Sequence, residues 1–261
     1  MIMSIAGIWQ NEYGSRMTLT VRGSVVEGVY ASTTGSTGEF SVTGWACENT
    51  ATTEAGQPVA LSVKWHSLVD GIADASWNWA SAMGGQVSIF DGREAMVLSH
   101  FMIASRSFES LCKHGLYIDK LTFYRISDVP KPVEKLNFIE AKAVDPISGS
   151  WTASDGSQMD ISVQYESEYR LGRLSGFLHL DGAKLVLSGF TDVKAEDHQL
   201  ELQATSIVVH NTHNNSTMAL GGFLKLKDGV LELQVLTNQT TGSEVSYTQN
   251  QISFLRFNRK V

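Results

Sequence analysis

Short apolar runs rich in β-branched and aromatic residues recur along the whole chain, and Gly-containing turns separate many of them. In the first half they fall at 18–26, 39–43, 59–65, 86–90, 95–103 and 120–125. In the second half they fall at 159–165, 173–180, 184–190, 199–210, 218–225, 230–236 and 252–257. Runs of this length and composition predict strands. Alternation of apolar and polar residues is plain in Leu200-Glu201-Leu202-Gln203-Ala204 and Leu224-Lys225-Leu226-Lys227, which predicts strands with one wet face and one buried face. Helical periodicity is scarce, and 105–114 reads as a short helical turn at most. Many short antiparallel strands with little helix predict a meander closed into a barrel, or a sandwich. Closure removes exposed strand edges.

One frame occurs twice. Gly7, Trp9, Gly14, Ser15 and Met17 recur in register as Gly149, Trp151, Gly156, Ser157 and Met159. Fixed self-similarity of this kind marks a duplicated unit. Each copy reads as a short first strand carrying a Trp as a large apolar plug, then a Gly-Ser turn and a second strand. Between the copies, Pro130, Pro132 and Pro146 are three of the four prolines in the chain. They mark a semi-rigid linker, whose Phe138-Ile139 pair is expected to dock on a barrel. The domains are therefore placed at 1–128 and 149–261, with 129–148 as linker.

Composition narrows the function classes. The formal net charge is −7, and each half holds more acids than bases, which argues against nucleic-acid binding. Cys47 and Cys112 are the two cysteines. That excludes a disulfide framework, and two reduced thiols are favoured over a single bridge. Residues 1–6 lack the features of a signal peptide, and no run approaches the ~18 apolar residues of a membrane helix. A soluble protein is expected, cytoplasmic or exported without a recognisable signal.

The first unit resembles the avidin and streptavidin family. The resemblance rests on Gly7-Ile8-Trp9-Gln10-Asn11-Glu12-Tyr13-Gly14-Ser15, then on Gly28-Val29-Tyr30-Ala31-Ser32, Phe40-Ser41-Val42-Thr43-Gly44-Trp45, Val59 to Trp65, the aromatics Trp77 and Trp79, and Thr122-Phe123-Tyr124-Arg125. It implies two tandem eight-stranded antiparallel up-and-down β-barrels and the binding of biotin at one open end, without enzymatic activity. It also implies that Asn11, Ser15 and Tyr30 present donors to the ureido oxygen, and that Ser32 accepts from a ureido N–H. Trp65 and Trp79 become the apolar walls, and Asp119 an acid that contacts the ureido group and braces Asn11.

The chain departs from that pattern in places. Trp77 stands near the position of a small hydroxyl, Phe101 replaces a wall Trp, and the region 108–114 offers Leu111 and Cys112 where a Trp donated to a neighbouring subunit is expected. These losses predict weaker capture than the family norm. In the second unit Asn11 becomes Ala153, Tyr30 becomes Phe177, Ser32 becomes His179, and Ser206 stands near the place of Trp65. Only Ser157 survives from the polar set, which predicts a second barrel unable to bind biotin.

Other chemistries find little support. Trp77-Asn78-Trp79, read as a strand, puts two rings on one face. His210-Asn211-Thr212-His213 reads as a solvated turn rather than a metal site, and Glu196-Asp197 as a charged loop rather than a glycosidase pair. No nucleophile–His–Asp set or phosphate loop is present, and no cofactor is implied. The leading expectation is capture of biotin or a biotin-like molecule by the first barrel, with a homo-oligomer or another protein as partner. The alternative is a protein-interaction or structural module, or a toxin component, that keeps the barrels and does not bind biotin.

Overall fold

The computed structural model describes residues 5–69, 72–109, 113–132, 136–140, 144–166, 168, 170–193, 195, 197, 199–245 and 247–260. The first unit holds β1 (Gly7–Asn11), β2 (Arg16–Arg22), β3 (Val25–Ser32), β4 (Gly38–Ala46), β5 (Gln57–Lys64), β6 (Ala80–Phe90), β7 (Arg93–Ala104) and β8 (Gly115–Ser127). They pair in chain order, and β1 also pairs β8, so the sheet closes. A two-residue strand, β9 (Ile139–Glu140), follows. The second unit holds β10 (Gly149–Ala153), β11 (Gln158–Glu166), β12 (Leu171–Leu180), β13 (Ala183–Asp192), β14 (Leu202–Asn211), β15 (Ser216–Lys225), β16 (Val230–Asn238) and β17 (Asn250–Arg259). There β10 pairs both β11 and β17. The chain is therefore all-β, with two closed eight-stranded antiparallel barrels in tandem.

The repeated frame builds the same plug in both barrels. Trp9 and Trp151 are buried, and each indole N–H donates to the carbonyl four residues earlier, Ile5 and Ile147, at 2.9 Å in both cases. An arginine from the last strand covers each ring, Arg125 at 4.2 Å and Arg259 at 4.7 Å, a cation over a π face. The turns match too. Gly14 and Gly156 sit at φ +86° and +89°, in the left-handed region that only glycine adopts without strain. Their N–H groups donate to the carbonyls of Asn11 and Ala153, both at 3.1 Å.

Several elements differ from the sequence expectation. The run 18–26 is not one strand, because Gly23 at φ +60° turns the chain between β2 and β3. No helix forms among the described residues of 105–114. Among the described residues the one helical element is a 3-10 turn at Ala75–Asn78, capped by Asp74, whose carboxylate accepts from the Ser76 N–H at 2.8 Å. Trp77-Asn78-Trp79 therefore leaves a turn rather than lying on a strand. The Phe138-Ile139 segment does dock: Ile139 pairs with Tyr165 of β11, and Phe138 lies 5.4 Å below the Arg173 guanidinium.

The alternating stretch at 200–204 has no wet face at its end, since Gln203 and Ala204 are both buried. This follows from how the barrels meet. β4 to β7 pack against β13 to β16, and the contacts are reciprocal: β5 meets β15 as β14 meets β6, and β4 meets β14 as β13 meets β5. That is the pattern of an isologous two-fold interface, here within one chain. Its centre is built from small residues, Ala60, Ala80, Ala82, Ala204 and Ala219, with Phe101, Ile103, Val208 and Leu236 around them. Ser62 donates to the Ser206 carbonyl at 3.1 Å, and Ser206 donates to the Ser81 carbonyl at 2.7 Å.

Candidate functional site

In an up-and-down barrel alternate connections emerge at the same end. The β1–β2, β3–β4, β5–β6 and β7–β8 connections of the first barrel therefore share one end. Asn11 closes β1, Ser15 ends the first turn, Ser32 closes β3 and Trp65 follows β5. All four are buried, and so is Tyr30, two residues inside β3.

Hydrogen bonds fix what each polar group can offer. The Asn11 side-chain oxygen accepts from the Ser15 N–H at 2.9 Å and the Tyr13 N–H at 3.1 Å, which leaves its amide N–H groups as donors. The Tyr30 phenol has the Ser15 hydroxyl and the Asn11 amide as hydrogen-bonding neighbours. Burial, the dominant effect, raises its pKa, and the two side chains oppose that rise, so the phenol stays protonated and can donate. Ser15 accepts from the Thr33 N–H at 3.1 Å and lies 3.2 Å from the Thr33 hydroxyl. That hydroxyl spends its own proton on the Tyr13 carbonyl, so the Ser15 proton rests on Thr33 and has to turn to serve a ligand. The Ser32 hydroxyl donates to the Thr34 carbonyl at 2.9 Å, leaving its lone pairs to accept. Asn11, Ser15 and Tyr30 thus lie together, buried, at this end of the barrel.

Rings surround these three residues. Tyr30 meets Trp65 edge-on at 5.7 Å and Phe123 at 6.1 Å, and Phe40 lies 4.7 Å from Trp65. The Trp65 indole donates to the Ser81 hydroxyl at 2.7 Å. Trp79 is buried in the same cluster; its indole donates to the Arg106 carbonyl at 2.7 Å, and its ring packs on Phe108 at 5.8 Å. Phe108, from the β7–β8 connection, covers this end in cis. The sequence pattern predicts a Trp in this segment and does not single out Phe108. Its signal was an aromatic in the last connection at the site's end of the barrel. Leu111 and Cys112 lie outside the described residues.

Three expected site residues are placed elsewhere. Trp77 is half-buried and packs on His66 at 3.9 Å, outside the cluster of Trp65 and Trp79. Phe101 faces outward from β7 into the inter-barrel core. Asp119 is exposed, accepts from the Lys120 N–H at 2.7 Å and pairs with His100 across β7. It does not brace Asn11, whose β8 partner is Phe123. The next buried β8 residue toward the site's end is Leu121.

The second barrel keeps the turn without the site. Asp155, not Ala153, now accepts from the Ser157 N–H at 2.9 Å. Met17 pairs with Tyr30, and Met159 pairs with Leu178. The counterpart of Tyr30 is therefore Leu178, while Phe177 faces solvent. By the same register Leu180, not His179, follows Ser32; His179 lies 3.7 Å from Asp160. Ser206 belongs to the barrel interface, so the wall position of Trp65 has no Ser206 counterpart. The β5–β6 connection that carries three tryptophans shrinks to the short turn 212–215 between β14 and β15.

His210 is buried and stacks on Trp45 at 5.9 Å, so it is no solvated turn residue. No cluster of three metal-binding side chains occurs among the described residues. Glu196 lies outside them. Cys47 is a buried free thiol, pushed up to about 12 by burial. Two grooves, of about 970 and 620 Å³, run along the seam between the barrels rather than over the ringed end.

Residues 2–107, covering β1 to β7, match the Avidin family. A comparison with curated proteins returns no match. With that match over the first seven strands, the closed meander of eight strands and the Trp plug that both units share, the chain is a tandem of two avidin-like barrels.

Proposed function

We propose that the first barrel is a non-enzymatic binding module for a small cyclic urea or amide, with biotin as the reference ligand. The observation that carries this reading is that Asn11, Ser15 and Tyr30 lie together, buried, beside Trp65. In this reading the Asn11 amide, the Tyr30 phenol and, once turned from Thr33, the Ser15 hydroxyl donate to one carbonyl oxygen in a ring-lined space, where such polarised bonds are strengthened by the exclusion of water, and Ser32 keeps lone pairs for a ring N–H. Capture is weaker than three donors alone suggest. Leu121 stands where an acid is wanted, the Ser15 proton has to leave Thr33, and the Trp79–Phe108 contact has to open.

A second reading draws on that last point. Tyr30, Trp65 and Trp79 are already buried, as in a barrel that serves recognition or structure without a ligand.

Thermal unfolding with millimolar biotin separates the two. At a concentration about a hundredfold above Kd, a ligand stabilises the folded state by ~2.7 kcal/mol, which raises Tm by several degrees. The rise should vanish in Tyr30→Phe. An unchanged Tm in the native sequence supports the ligand-free reading.

A further inference from the structure

The turn that carries Trp77, Asn78 and Trp79 is held by the other barrel. Lys64, at the end of β5, is fully buried. Its ammonium donates to the carbonyls of Trp77 and, at 3.3 Å, Trp79. Asp192, at the end of β13, lies 3.6 Å from that ammonium, and its other oxygen accepts from the Asn78 amide at 3.0 Å. One carboxylate of the second barrel thus anchors both groups that pin three successive residues of the first. The same turn gives Trp65 its backbone partner, since the Trp65 N–H donates to the Trp79 carbonyl at 3.2 Å.

We infer that Asp192 is a positioning residue for the ligand end of the first barrel, and that the second barrel serves the first as a built-in brace rather than as a second binding unit. The ligand part of this inference rests on the function proposed above; the brace does not.

The physical logic is that of a desolvated charge. Burial lowers the Lys64 pKa, and the Asp192 charge opposes that. Arg170 adds a second positive charge nearby, so the carboxylate is what keeps the ammonium in place. Without it, Lys64 is drawn toward water and releases the Trp77 and Trp79 carbonyls. Trp65 is tied to the second barrel by a separate route, through Ser81 and the hydroxyl of Ser206.

The test uses the full chain in three variants. Asp192→Asn removes the charge. Lys64→Met with Asp192→Leu removes the pair without leaving a buried Lys64 ammonium unpaired, which guards against loss of folding. Arg173→Ala is the control, because Arg173 and Glu27 also link the barrels, at 3.1 Å, on the exposed surface. Amide exchange over 74–79, measured without ligand, is expected to rise about tenfold or more in both Asp192 variants and to stay native in Arg173→Ala. Biotin affinity is expected to fall about tenfold in the same two. A folded double variant with native exchange over 74–79 overturns the brace. If the native chain ignores biotin while exchange responds as expected, the proposed ligand fails and the brace stands.

Discussion

Asn11 does two jobs that the second barrel has separated. Its side-chain oxygen closes the first turn, which leaves its amide nitrogen for the site; in the second barrel Asp155 closes the turn and Ala153 supplies no donor in its place. The turn was legible from Gly and Ser alone, because positive φ demands glycine. The transfer of the capping bond was not, because Asn and Asp cap equally well from neighbouring positions. Two buried histidines make a separate prediction. His100 lies 2.7 Å from the Ser81 hydroxyl. Burial lowers it to about 4, and burial with the nearby Lys64 lowers His66 to about 3. Both remain neutral in the folded chain where the unfolded chain binds protons below ~6.5. Their contribution is complete above that pH and is lost as pH falls toward 4, at up to ~1.4 kcal/mol per unit for each. Denaturation midpoints measured between pH 7 and 4 should fall, and His100→Asn should flatten the profile.

At the scale of an element, register decided where the sequence reading held and where it slipped. Apolar runs located most strands, because β-branched residues and Gly turns punctuate them. They could not fix which residue of a pair points inward, and a slip of one residue turns a strand inside out. Aligning Tyr30 with Phe177 made that slip. Gly28 and Gly176 show the correct frame, since a Cβ on either would lie 2.1 Å from the Thr18 carbonyl oxygen or 1.9 Å from that of Asp160. Tyr30 and Leu178 each follow such a glycine by two. Phe177→Ser should therefore change stability by less than ~0.5 kcal/mol. Leu178→Ala should cost about 2–5 kcal/mol by cavity formation. Urea unfolding of both variants checks the pair, and a costly Phe177→Ser would contradict the register.

The whole molecule is where the sequence was least legible, because its central contact is written in residues that look unremarkable. Every residue of β5 is buried, yet Gln57 to Lys64 holds three polar side chains and two alanines or prolines. A strand covered on both faces normally reads as a continuous apolar run; here small and hydroxyl residues let two sheets approach closely and bond to each other's carbonyls. The site at one barrel end then depends on a seam that no single-barrel reasoning contains. A seam of this kind makes the two barrels unfold as one. Because both partners are in one chain, Tm should not depend on protein concentration if no further association occurs, and calorimetric and van't Hoff enthalpies should agree. Ala82 faces Gly221 across the seam, where even a Cβ on Gly221 would lie 3.1 Å from it, so Ala82→Arg forces a long charged side chain into packed space. The expected outcome is two separate calorimetric transitions in place of one. A single transition at native Tm in that variant would mean that the seam carries little of the energy holding the barrels together.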